Sequence, residues 1–107
     1  DITDHTAIDP RYGTLADFDA LVARAHELGL KVILDYVPNH TSHEHPWFKE
    51  AVADAHSPRH DWFIWADADP GWKGAWGQKV WHRAGAGAAP AWYFGMFSGR
   101  MPDLNFR

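Results

Sequence analysis

The sequence contains no cysteine. That removes a disulfide framework and thiolate metal ligation, and it leaves the redox compartment open. An excess of basic charge is also lacking: 10 Lys and Arg stand against 14 Asp and Glu, 10 − 14 = −4. Such a balance offers no footprint for a nucleic-acid backbone, so no nucleic-acid partner is expected. No apolar run approaches the ~20 residues of a membrane span and no signal-peptide pattern opens the chain, so no membrane partner is expected either. The choice between cytoplasm and exterior stays open. Glycine loops of the GxxxxGK[ST] and GxGxxG types and a GxSxG elbow are missing, which leaves phosphoryl transfer, dinucleotide binding and serine hydrolysis without support. Eight histidines invite a zinc reading, with His43 near His45 and His56 near His60. Without Cys, an HExxH pair or a clean helical pair of ligands, zinc is not expected.

What is present is a globular composition, 46% hydrophobic with seven Trp, in 107 residues. That length bounds the chain to one small domain. It starts at Asp1 in mid-pattern and stops at Arg107 after the strand-like run Met101–Arg107, and we expect a segment of a longer protein.

The organisation changes near residue 40. From Thr14 to Gly29 the pattern is helical: Leu15, Phe18, Leu21, Val22, Ala25 and Leu28 recur at spacings of three and four. Thr14 with Asp17 reads as a cap, and Gly29 supplies the left-handed position that ends many helices. Lys31–Val37 follows as a short apolar run of the kind found in buried parallel strands. Helix, glycine turn and buried strand make half of a βαβ unit and predict an α/β class, with Asp1–Gly13 as the loop after an earlier strand. Beyond His40 the pattern predicts one short helix within His43–His56, carrying Trp47, Phe48, Ala51, Val52 and Ala55 on one side. A loop-rich stretch follows, with the strand-like run Trp62–Trp65 and a Gly/Ala spacer over Ala84–Ala91 that is expected to be a mobile loop.

In α/β architectures ligands bind beyond the carboxyl ends of parallel strands. Asp35 lies inside the apolar run, and Asn39 and His40 lie just past it. His40 reads either as a histidine bonded to backbone or as a hydrogen-bond donor to substrate. Asp35 reads as a structural bracket, because a lone buried carboxylate is costly. Asn39 reads as a turn cap or as a calcium ligand through its carbonyl. Most of the tryptophans read as packing. Trp92, beside Tyr93 and Phe94, is a candidate platform for stacking a sugar ring.

Asp35-Tyr36-Val37-Pro38-Asn39-His40 resembles the third-strand signature of the α-amylase family of glycoside hydrolases, family 13. Met101-Pro102-Asp103-Leu104-Asn105 resembles that family's stretch near the end of its domain B. Asp1–His5 and Ile8–Thr14 are similar to its second-strand loop, and His45–Phe48 and Asp61–Trp65 to the start of domain B in the oligo-1,6-glucosidase and neopullulanase-like branches. Ordered matches over essentially the whole chain are more specific than any one motif.

The resemblance implies that residues 1–39 are the second loop, second helix and third strand of a (β/α)8 TIM barrel, and residues 40–107 domain B. A complete barrel needs ~250 residues and is excluded. It implies a sugar contact for His40, a place at the glucose-binding pocket for Asp1, support of the strand end by Asp35, and a structural calcium held by Asn39 and Asp103. The family's chemistry is retaining hydrolysis by two carboxylates ~5–5.5 Å apart, and the family places its catalytic residues beyond Arg107. No catalytic residue is therefore expected in this segment. His5 stands where the family pattern has Tyr, and Met101 where oligo-1,6-glucosidases have Gln. The latter favours α-1,4 bonds of starch or malto-oligosaccharides. α-Glucosidase, oligo-1,6-glucosidase or transglycosylase activity is the alternative within the family. A non-catalytic barrel relative and a carbohydrate-binding protein are the alternatives from other classes.

Overall fold

In a computed structural model that describes residues 1–85 and 91–107, the chain divides into two compact units. One comprises residues 4–36, the other residues 1–3 together with 37–107.

The first unit is built on helix α1, Leu15–Glu27. Its start is set locally. Asp17 donates its backbone N–H to Thr14 Oγ1 at 3.2 Å and accepts the Thr14 N–H at 2.8 Å, a reciprocal capping box. These bonds hold the Asp17 carboxyl below its ordinary pKa. At the other end Gly29 takes φ +74, and Leu30 N–H reaches back to the Ala25 carbonyl at 2.8 Å. The apolar stripe of α1 has no buried residue: Leu15, Leu21 and Leu28 are exposed, and Phe18, Val22 and Ala25 are half-buried.

Lys31–Val37, expected as a buried parallel strand, forms no ladder. Ile33 is 91% exposed and Tyr36 82%. A parallel strand is stabilised by neighbours on both edges and covered faces, and no described segment pairs with this one. Asp35 is likewise exposed.

The second unit carries the core. Helix α2, Pro46–Ala53, begins with Pro at its first position and His45 Nδ1 accepting the Trp47 N–H at 3.1 Å. It buries Phe48 and Ala51, while Val52 and Ala55 of the expected apolar side are exposed. Three short strands, β1 (Trp65–Ala66), β2 (Trp81–Ala84) and β3 (Ala91–Phe94), form an antiparallel sheet in the order β1-β3-β2. In its register Trp65 faces Tyr93 and His82 faces Tyr93 from the other side. Phe48 packs edge-on against Phe63 at 5.1 Å and Tyr93 at 4.8 Å, and these rings with Ala51 and Ala84 form the buried cluster. The expected run Trp62–Trp65 is broken. Trp62 closes a 3-10 turn, His60–Trp62, Phe63 bridges to Leu104, and only Trp65 enters β1. The ends of the Gly/Ala spacer, Ala84 and Ala91, face each other in the β2–β3 pair. Residues 86–90, on which the loop expectation fell, lie outside the described residues.

Candidate functional site

The two signature segments, residues 39–43 and 100–104, run antiparallel. Leu104 N–H bonds the Asn39 carbonyl at 2.8 Å, Thr41 N–H the Pro102 carbonyl at 3.2 Å, and His43 N–H the Arg100 carbonyl at 3.0 Å. Ser42 N–H bonds the Ile2 carbonyl at 2.8 Å, which brings in the first residues of the chain. His40 and Asp103 form a bridge pair across this seam.

The side chains follow from that placement. His40 is 8% exposed, and its Nε2 lies 3.1 Å from Asp1 Oδ1. Its Nδ1 lies 3.3 Å from Asn39 Nδ2. The Asp103 carboxylate accepts the Met96 N–H at 3.1 Å and a hydrogen bond from the Asn39 side chain. Burial pushes the Asp103 carboxyl above its ordinary pKa, against these two hydrogen bonds and the attraction of His40, which pull it down. Phe97 meets the His40 ring edge-on at 5.5 Å and is half exposed.

Besides Asp103, three side chains hold residues 95–101, which carry Phe97. Tyr93 Oη donates to the Gly99 carbonyl at 2.6 Å, Gln78 Nε2 to the Met96 carbonyl at 2.9 Å, and His82 Nε2 to the Gly95 carbonyl at 3.1 Å. Gly95 is required by close approach, since a Cβ there would stand 2.6 Å from the Ser98 carbonyl oxygen. A separate cavity of about 360 Å³ opens between α2 and the β2–β3 pair, floored by Phe48 and Tyr93, and neither Asp1 nor His40 lines it.

The structure thus joins Asp1 to His40 and Asn39 to Asp103, and all four belong to one compact unit. Asp35 belongs to the other unit. Trp92, the expected sugar platform, is a half-buried member of β3 between Ala66 and Arg83. The exposed ring beside His40 is Phe97, which the sequence reading missed although it stands four residues before Met101.

Calcium takes 6–8 oxygen ligands. Asn39 and Asp103 provide one carboxamide and one carboxylate, already hydrogen-bonded to each other. No group of three His, Asp or Glu side chains with metal-holding geometry occurs among the described residues. The pair supplies two oxygen donors toward such an ion. What it forms is a hydrogen-bonded clasp between the two signature segments. Chemically the site offers a carboxylate and an imidazole side by side at an aromatic edge, a set suited to hydroxyl groups of a ligand.

Among known proteins, the family model described as "Alpha amylase, catalytic domain" matches residues 1–107. Alpha-amylase 3 of Dictyoglomus thermophilum is 41% identical over 106 residues, covering 99% of this chain and 20% of that protein. Maltase 1 of Drosophila virilis is 44% identical over 116 residues, covering 100% of this chain and 18% of its own length. The crystal structure of the α-amylase from H. orenii matches with a TM-score of 0.83 and 45% identity, over 99% of this chain and 21% of that one. The chain therefore spans about one fifth of the length of the curated relatives it matches.

Proposed function

The chain belongs to the family of α-amylase catalytic domains, glycoside hydrolases built on a (β/α)8 barrel, and we propose that its Asp1–His40 pair binds a glucosyl unit of an α-glucan. The observation that carries this reading is the 3.1 Å contact between His40 Nε2 and Asp1 Oδ1, made where the paired signature segments meet the first residues of the chain. A carboxylate and an imidazole joined in this way grip sugar hydroxyls with charge-assisted hydrogen bonds, and each holds the other in place. Phe97 adds an apolar edge for the C–H face of the ring.

In the parent protein the reaction is retaining hydrolysis of α-1,4 bonds in starch or malto-oligosaccharides, and Met101 in place of Gln is what favours that linkage. The attacking and proton-donating carboxylates belong to segments outside this chain. Residues 1–39 act as a barrel segment and residues 40–107 as domain B, an excursion that walls the cleft. Two features support the second assignment: the antiparallel sheet, and the core that residues 37–107 assemble around α2. The Asn39–Asp103 clasp ties the two signature segments. The likeness to Maltase 1 supports a second reading, an α-glucosidase that removes single glucose units.

The test is kinetic, on the full-length protein. His40→Ala and Asp1→Asn are each expected to lower kcat/KM on maltoheptaose by ~1–3 kcal/mol, the loss typical of a charge-assisted hydrogen bond to substrate. Unchanged kcat/KM in both variants would remove the pair from the substrate site. Comparing maltoheptaose with isomaltose decides between the α-1,4 and α-1,6 readings.

A further inference from the structure

We propose that Asn39 is a positioning residue: its carboxamide holds the His40 imidazole in the tautomer protonated at Nε2, so that the ring presents an N–H toward Asp1 and the ligand.

The Asn39 carboxamide nitrogen stands 3.3 Å from His40 Nδ1. It is an NH2 group and only donates. A ring nitrogen that receives a hydrogen bond is unprotonated, so the neutral imidazole carries its proton on Nε2. There Asp1 Oδ1, again an acceptor, lies 3.1 Å away. A chain of donations runs from Asn39 through His40 to Asp1. The opposite tautomer sets N–H against N–H at Nδ1 and a lone pair against a carboxylate at Nε2, so both contacts become repulsive. The ring does not escape by turning, because His40 is 8% exposed and Phe97 lies against its edge. The backbone bond from Leu104 to the Asn39 carbonyl and the His40–Asp103 bridge keep the three residues together.

A turn-capping role for Asn39 makes a different prediction. Asp caps turns as well as Asn, but an aspartate at position 39 sets an acceptor against Nδ1 and draws a proton onto that nitrogen. The effect on activity rests on the sugar-contact reading of His40; the tautomer does not.

The experiment is 15N NMR of the full-length protein labelled at histidine, above the pH at which the imidazole charges, with His40 assigned by its loss in His40→Gln. We expect an unprotonated Nδ1 and a protonated Nε2. The reverse pattern in the wild type overturns the proposal even if no variant folds. The double variant Asn39→Asp with Asp103→Asn keeps one carboxylate and one carboxamide at these two positions with their places exchanged. It is expected to keep a near-native Tm, to bring a proton onto His40 Nδ1 and to lower kcat/KM by about tenfold, the factor for one lost hydrogen bond. A double variant with wild-type tautomer and activity overturns the proposal and leaves Asn39 as a clasp. A shifted tautomer with unchanged kcat/KM, beside an unchanged His40→Ala, sinks the sugar-contact reading and leaves the role of Asn39 in the ring standing.

Discussion

Tyr93 Oη donates a 2.6 Å hydrogen bond to the Gly99 carbonyl, across six residues that leave the sheet and return to the signature segment. Tyr93 itself sits in the core against Phe48. One residue therefore links the packed interior to the segment that sets Phe97 beside His40.

Removing that link has a defined cost. Tyr93→Phe keeps the ring and deletes the hydroxyl, leaving a carbonyl without its partner, and is expected to destabilise by ~1–2 kcal/mol. Gly95→Ala is expected to cost more, because its Cβ meets the Ser98 carbonyl oxygen at 2.6 Å, closer than two such atoms pack. Thermal unfolding of both variants checks the order, with Gly95→Ala the less stable. Equal stability of Gly95→Ala and wild type would show that the 95–101 segment is not held as described.

Asp103 gives the fold a pH dependence of known sign. Its pKa is raised in the folded state from 3.8, with burial the leading cause. The folded chain therefore holds this proton at pH values where the unfolded chain has lost it. The resulting contribution is fully present below 3.8 and is lost as pH rises through the raised value. Wild-type Tm measured relative to Asp103→Asn is expected to fall as pH climbs through that window. A difference that grows with pH would mean that the hydrogen bonds from Met96 and Asn39 outweigh burial.

Chelation tests the clasp. With one carboxamide and one carboxylate hydrogen-bonded to each other, the full-length protein is expected to keep its Tm in EDTA to within about 1 °C. A metal bound at 100 times its Kd contributes ~2.7 kcal/mol, so stripping it would lower Tm by several degrees. Such a drop, abolished in Asp103→Asn, would make the pair a metal site.

How far these features were legible depends on how local their causes are. Helix α1 was readable because its cap is a contact between Thr14 and Asp17 and its stop a single glycine, all within the window that fixes a helix. Helix α2 was readable as an apolar period, but its burial was not. Val52 and Ala55 belong to the same stripe as Phe48, and only packing against Phe63 and Tyr93 selects Phe48 and Ala51. The β2–β3 pair left no turn signal, since its strands meet across a Gly/Ala spacer rather than a two-residue hairpin loop.

By itself the sequence determined the helices, the ordered signature segments and the chemistry available at Asp1, Asn39, His40 and Asp103, because these reside in short motifs and residue identity. Lys31–Val37 marks its limit. An apolar run states that a strand is suitable for burial, but pairing and burial are supplied by partners, and this run has none among the described residues. Only the tertiary structure decided that Asp1 and His40, 39 residues apart, meet at 3.1 Å, and that the ring beside them is Phe97 rather than Trp92. The reason is the antiparallel seam between residues 39–43 and 100–104, a non-local pairing whose register no local pattern specifies.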